Sequence, residues 1–243
     1  MTETQAREAI CRVGKSLFDR GYVHATAGNI SVRLEGAAGG GFLITPTDAC
    51  LGFLDPARLA RLDANALQLS GDRASKTMAL HAHIYAAATR FDAATRCIIH
   101  THSTYCVALS LQHSDQSSGT PALTQTHELL EPLTPYFVMK VGHVPLMPYH
   151  RPGDPALAAL VARTITDYGA RGTPIRAVML ARLGPTVWHD DPMQAMATLE
   201  ELEETAQLAC LAQRAHASPS QPTLTALTAA QIDALRQTFG ARW

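Results

Sequence analysis

The chain of 243 residues is 47% hydrophobic, enough for one domain with a full core, and no long linker divides it. Its 20 basic and 21 acidic residues show no long run of either sign, so the electrostatic footprint of a nucleic-acid binder is missing. No apolar stretch is long enough to span a bilayer and no basic segment precedes an apolar run at Met1, which points to a soluble cytoplasmic protein that does not engage membranes.

Ile10, Val13, Leu17 and Phe18 recur at helical spacing between Thr4 and Arg20, with Gly21 placed to end the helix. A loop of small residues then runs through Gly28 and Asn29 into an alternating strand, Ile30-Ser31-Val32-Arg33. Gly28 lets backbone amides approach an anion and Asn29 can donate from its side chain, although the same pair also reads as an ordinary turn. Gly36 to Gly41 reads as a hairpin connection, and Phe42 to Thr45 as a short strand that breaks at Pro46 and presents Thr47 on a loop. Leu54-Asp55-Pro56 marks a helix or turn start, and Leu59 to Leu69 an antiparallel strand pair.

The segment from Gly71 to Thr77 precedes a strongly helical stretch from Met78 onwards that carries His81, His83 and Tyr85. With Ser75 near the cap and Lys76 beside it, this helix start offers amides, a hydroxyl and a positive charge to a phosphate or carboxylate. It is not a P-loop, because Ser75 stands where the second glycine is needed. The apolar strand Cys97-Ile98-Ile99-His100-Thr101-His102 follows. Side chains two apart on a strand share a face, so His100 and His102 project together as half of a metal site, or as two core histidines bonded to backbone.

Thr104 to Leu111 reads as a helix packed by Val107, Leu109 and Leu111, and Gln112 to Gln125 as a surface loop. His127-Glu128 lacks the second histidine of a zincin motif. Pro135 to Gly142 and Val144 to Met147 read as short strands, and Asp154 as the cap of a helix from Pro155. Ala177 to Ala181 and Thr186 to Trp188 read as strands joined through Arg182-Leu183-Gly184-Pro185. A long helix spans Met193 to Ala212, and a Ser-Pro-rich linker leads to a last helix at Ala229 to Gln237, capped by Thr228. The five cysteines are scattered and odd in number, which suggests neither a disulfide framework nor a zinc ribbon. Strands alternating with helices indicate an α/β fold with a mixed sheet covered by helices.

Several of these segments together carry a resemblance: Ala-Thr-Ala-Gly28-Asn29-Ile-Ser, Ile44-Thr-Pro-Thr47, Ala74-Ser75-Lys76 before His81-x-x-Ile-Tyr85, Ile99-His100-Thr-His102-Ser, Leu133-Thr-Pro-Tyr136, Tyr149-His-Arg-Pro-Gly-Asp154 and Leu202-Glu-Glu-Thr205. The chain resembles the class II aldolase/adducin family, and most of all its 3-oxo-tetronate 4-phosphate decarboxylase branch. The resemblance implies a three-layer αβα sandwich around a mostly antiparallel mixed sheet, over residues 1–217, with a linker and short helix at 218–243. It also implies a homotetramer with active sites between subunits, and a zinc-dependent lyase acting on a phosphorylated sugar acid. By position, His100 and His102 match metal-binding histidines, while Gly28, Asn29, Thr47, Ser75 and Lys76 match the loops that hold the substrate phosphate.

Two positions depart from the family pattern. Thr77 stands where the family places its acid/base glutamate, and Leu183 where it places a third metal histidine, within Arg182-Leu183-Gly184 in place of Asn-His-Gly. Threonine does not titrate and leucine does not bind metal. Lys76, Arg182 and Tyr136 are then the candidates for catalytic charge and proton delivery, and His24, His81, His127 or a partner's carboxylate the candidates for a replacement ligand. The alternatives are a repurposed, metal-free enzyme or a noncatalytic binding module on the same fold.

Overall fold

The computed structural model describes residues 1–36, 39–112, 127–215 and 224–243. Eight strands form one sheet in the order β4-β3-β2-β1-β5-β8-β7-β6. These are β1 (Asn29–Arg33), β2 (Phe42–Ile44), β3 (Ala60–Leu62), β4 (Gln68–Ser70), β5 (Cys97–His100), β6 (Leu146–Met147), β7 (Ala177–Leu180) and β8 (Gly184–His189). Every pairing is antiparallel except β6 with β7, so the sheet is mixed and mostly antiparallel as expected.

Helices cover both faces, giving the three-layer αβα sandwich. On one side lie α1 (Glu3–Asp19), α3 (Thr104–Ser110), α4 (Pro135–Lys140) and α6 (Pro192–Ala215), packed on Ile30, Val32, Cys97 and Ile99. On the other, α2 (Met78–Ala88) and α5 (Pro155–Ala170) enclose Ile98, Val178 and Trp188. β5 lies between β1 and β8, and all four of its residues are buried. Successive side chains alternate between the layers, so His100 shares the α2–α5 face with Ile98.

Local chemistry explains most boundaries. Thr2 and Gln5 form a reciprocal capping box at α1, and Thr228 and Gln231 repeat it at α7 (Ala229–Phe239). Asp154 caps α5 through the Ala156 amide, with Pro155 in the first turn.

Two expectations are corrected. Pro135 to Lys140 is the helix α4 rather than a strand: the Thr134 hydroxyl accepts from the Phe137 amide and Pro135 occupies the first turn, so a helix start outweighs the strand preference of Phe137 and Val138. Leu111 does not pack α3 but is exposed beyond its end, whereas Cys106 and Leu109 are buried. The surface loop expected from Gln112 to Gln125 and the linker before α7 fall largely or wholly outside the described residues, as does the boundary at 217.

The C-terminal segment packs on its own domain. The Trp243 ring stacks on His143 at 4.3 Å between centroids and meets Phe137 edge-on, and Arg242 pairs with Asp92 at 3.0 Å. The Leu227 amide donates to the Pro132 carbonyl, which fixes the start of the segment beside α4.

Candidate functional site

The register of the central strands assembles the site. His100 lies opposite Asn29 on β1 and opposite Thr186 on β8, forming one row across three strands. His100 Nδ1 is 3.1 Å from the Pro185 carbonyl and 3.0 Å from the Thr186 hydroxyl. A carbonyl can only accept, so Nδ1 carries the proton and Nε2 keeps the lone pair. Burial, reinforced by His102, holds the pKa of His100 down to about 3, and this imidazole is neutral.

His102 lies just beyond the strand, its ring edge-on to His100 at 5.1 Å and to His24 at 6.3 Å. Its pKa is lowered by burial and then by His24. The strand pairing ends at His100, yet the two rings still converge as their spacing indicates.

A second buried histidine lies behind them. His81 is fully enclosed, and its Nδ1 lies 2.7 Å from the Ser31 hydroxyl, which is 2.9 Å from the Tyr85 hydroxyl. Tyr85 donates to the Ser31 and Arg96 carbonyls at 3.1 and 3.0 Å. With the tyrosine proton committed to a carbonyl, the serine proton goes to Tyr85, and Ser31 accepts from His81 Nδ1–H. His81 Nε2 is left as a lone pair without a partner, as is Asn29 Oδ1. Burial first, then His100, pushes the His81 pKa down to about 3. This chain of hydroxyls escaped the sequence reading because Ser31 and His81 are 50 positions apart.

The expected phosphate residues come together at the same end of the sheet. Thr45 bonds both ways with Ile30, the Thr47 amide donates to the Arg73 carbonyl at 2.9 Å, and the Ser75 amide donates to the Thr45 carbonyl at 3.2 Å. Thr47, Ser75 and Lys76 are thereby drawn towards the β1 terminus that carries Gly28 and Asn29. Gly28 has a φ of +85°, and a Cβ there would lie 2.9 Å from the His100 carbonyl and 2.7 Å from Val23. Lys76 is exposed. Thr77 rather than Ser75 is the cap residue of α2, and its hydroxyl lies 2.9 Å from that of Ser75.

The turn after β7 is packed against the histidine segment. Arg182 has a φ of +65° and its amide donates to the Ser110 hydroxyl at 3.1 Å. A Cβ on Gly184 would clash with the Thr101 carbonyl and come within 3.0 Å of His102 Cα. Leu183, between them, packs against the α2–α5 core. Tyr136 sits on α4, 62% exposed, and no hydrogen bond or ring contact among the described residues joins it to the imidazoles. His127 is exposed and its carbonyl accepts from the Leu146 amide.

Zinc, which the resemblance implies, would meet two converging imidazoles here. Among the described residues, no three His, Cys, Asp or Glu side chains form a group able to hold a metal ion. The donors present therefore do not fit a three-ligand or closed zinc site.

Comparison with known proteins agrees with this architecture. Residues 8–210 match the family model described as Class II Aldolase and Adducin N-terminal domain. A 3-oxo-tetronate 4-phosphate decarboxylase of Cupriavidus necator is 48% identical over 200 residues, covering 82% of this chain and 81% of that protein. The Escherichia coli K12 protein of the same name is 38% identical over 82% of this chain and 83% of its own length. Among solved structures, YgbL of Escherichia coli, a putative aldolase/epimerase/decarboxylase, superposes with a TM-score of 0.76 at 36% identity, covering 96% of this chain and 99% of that one. The L-fuculose-1-phosphate aldolase of Thermus thermophilus gives a TM-score of 0.67 at 26% identity, with coverages of 89% and 98%. The chain belongs to the class II aldolase and adducin family.

Proposed function

We propose that this protein is a cytoplasmic carbon–carbon lyase that decarboxylates a phosphorylated β-keto sugar acid of the 3-oxo-tetronate 4-phosphate type. The observation that supports the proposal is the Asn29–His100 pairing, which brings the loops of Thr47, Ser75 and Lys76, read here as the phosphate-holding end, to the end of the sheet that carries the two imidazoles. The names of the Cupriavidus and Escherichia relatives supply the substrate.

In such an acid the bond between the carboxylate carbon and its α-carbon breaks, and its electron pair flows towards the neighbouring ketone. Carbon dioxide leaves and an enediolate remains, which takes one proton at carbon to give a three-carbon ketose phosphate. No base has to remove a carbon-bound proton first, so Thr77 in place of a carboxylate does not block the reaction. Lys76 holds the phosphate with Gly28, Asn29, Thr47 and Ser75. Arg182, on the turn beside His102, offers positive charge to the enediolate oxygen. Tyr136 delivers the proton from a neighbouring subunit of a homotetramer, consistent with its exposure on α4. A divalent ion such as zinc would have His100 and His102 as its ligands, but none of these steps runs through it.

The test is carbon dioxide release from 3-oxo-tetronate 4-phosphate, with retro-aldol cleavage of L-fuculose 1-phosphate as the comparison. Turnover of the first substrate alone supports the decarboxylase, and cleavage of the second alone replaces it with an aldolase. Binding of both without turnover would favour a noncatalytic module on the same fold.

A further inference from the structure

The resemblance places an acid/base glutamate at position 77 and a third metal histidine at position 183, and the structure shows what Thr77 and Leu183 contact instead. The Thr77 hydroxyl is engaged with Ser75 at 2.9 Å, and its amide faces the same oxygen at 3.4 Å. Position 77 has thus joined the anion loop, adding a hydroxyl beside Lys76 where a carboxylate would have opposed that charge. Leu183 has joined the apolar core beneath α2 and α5.

The scaffold at 183 is intact. The Leu183 amide donates to the Leu180 carbonyl at 3.0 Å, the Arg182 amide is held by Ser110, and Gly184 presses on the Thr101–His102 backbone. The backbone at 183 is therefore still held next to the Thr101–His102 segment, and what position 183 lacks is a donor side chain. None of His24, His81 and His127 makes up the loss. His24 sits on an exposed loop 6.3 Å from the His102 ring, and the His81 lone pair is fully enclosed; no group of three donors results among the described residues.

From this reassignment we infer that the protein holds no divalent metal tightly and recognises its anionic ligand with its own cationic and polar side chains. Two imidazoles leave half of a tetrahedral shell to water, and affinity falls accordingly. Lys76 is exposed at the head of α2 next to the paired Ser75 and Thr77 hydroxyls, and Arg182 is exposed on the turn packed against the Thr101–His102 backbone; both carry the sign that suits a phosphate or carboxylate without an intervening cation.

The inference rests on family membership and donor chemistry rather than on the decarboxylase reading, and its readout needs no turnover, so failure of the lyase assay leaves it standing. The experiment is metal analysis by mass spectrometry on protein purified without chelator and reloaded with zinc. A cobalt titration followed by d–d absorption accompanies it, on wild type, Leu183→His and Thr77→Glu/Leu183→His, with circular dichroism to confirm folding. The expected result is wild type far below one ion per chain after dialysis, with the folded double variant binding cobalt about a hundredfold or more tightly. If the double variant does not fold, Leu183→His alone must show the gain. Stabilisation of wild type by inorganic phosphate, read as a shift in Tm, is expected to be the same with and without EDTA. About one ion per chain in wild type, lost in His100→Ala/His102→Ala, would overturn the inference. Folded variants that gain no affinity, or a phosphate shift abolished by EDTA, would overturn it as well.

Discussion

Ser31 Oγ lies 2.7 Å from His81 Nδ1, joining the middle of β1 to the first turns of α2 and fixing which nitrogen of a buried imidazole carries the proton. Ser31 is fully enclosed and serves His81 and Tyr85 together. Ser31→Ala leaves two buried polar groups short of a partner and is expected to destabilise the fold by about 2–4 kcal/mol. Urea unfolding at neutral pH measures it, and a loss below about 0.5 kcal/mol would mean that water replaces the hydroxyl.

The same imidazole ties stability to pH. The unfolded chain protonates His81 near 6.5, whereas the folded chain does so only near about 3. Between those values the unfolded state binds the extra proton, so this contribution is complete above 6.5 and is lost as pH falls towards 3. The slope reaches about 1.4 kcal/mol per pH unit for one group. Urea midpoints are expected to drop steadily from about pH 7 to about pH 5 in wild type and to fall less steeply in His81→Gln.

Gly28→Ala combines a strained φ with a Cβ forced against the His100 carbonyl and Val23. The expected cost is about 2 kcal/mol or more, with weaker phosphate binding, because the amides at the head of β1 must shift. Thermal unfolding and phosphate protection read the two effects on one sample, and a variant with unchanged Tm would contradict the close approach.

Lys76→Ala removes the exposed positive charge at the head of α2. With the lyase substrate, KM is expected to rise about tenfold or more while kcat changes less, since the phosphate is held alike in ground and transition states. A drop in kcat at constant KM would instead assign Lys76 to the reacting end.

Glu203 is buried on α6 and accepts from the Tyr105 and Cys106 amides at 2.7 and 3.0 Å, holding the start of α3 two residues after His102. Glu203→Ala strands those amides and is expected to lower stability by about 2–3 kcal/mol, measured by urea unfolding. Glu203→Gln keeps one acceptor oxygen and should lose less.

How much of this was legible in the sequence depends on the range over which each signal acts. His100 and His102 could be placed because strand periodicity is local, and Asp154 and Thr228 because capping works within one turn. Gly28, Asn29, Thr47, Ser75 and Lys76 come from separate stretches, and only the resemblance grouped them before the loop pairing did. The α4 helix departs from the strand expected of it because Thr134 and Pro135 set a helix start while the aromatic and β-branched residues after them favour a strand. Nothing local to Ser31 or Glu203 announces their partners, which lie 50 and about 98 positions away.

The packing of Gly184 on Thr101 has a consequence for anyone redesigning this pocket. Because residue 184 admits no side chain, its glycine pins the turn to the histidine segment whatever the neighbouring side chains are. Leu183 is tied to the α2–α5 core, whereas Arg182 is exposed at a φ of +65°, a conformation that asparagine and glycine also accept. A small library of such residues at 182 would therefore vary the charge beside the histidines with the least disturbance of the core.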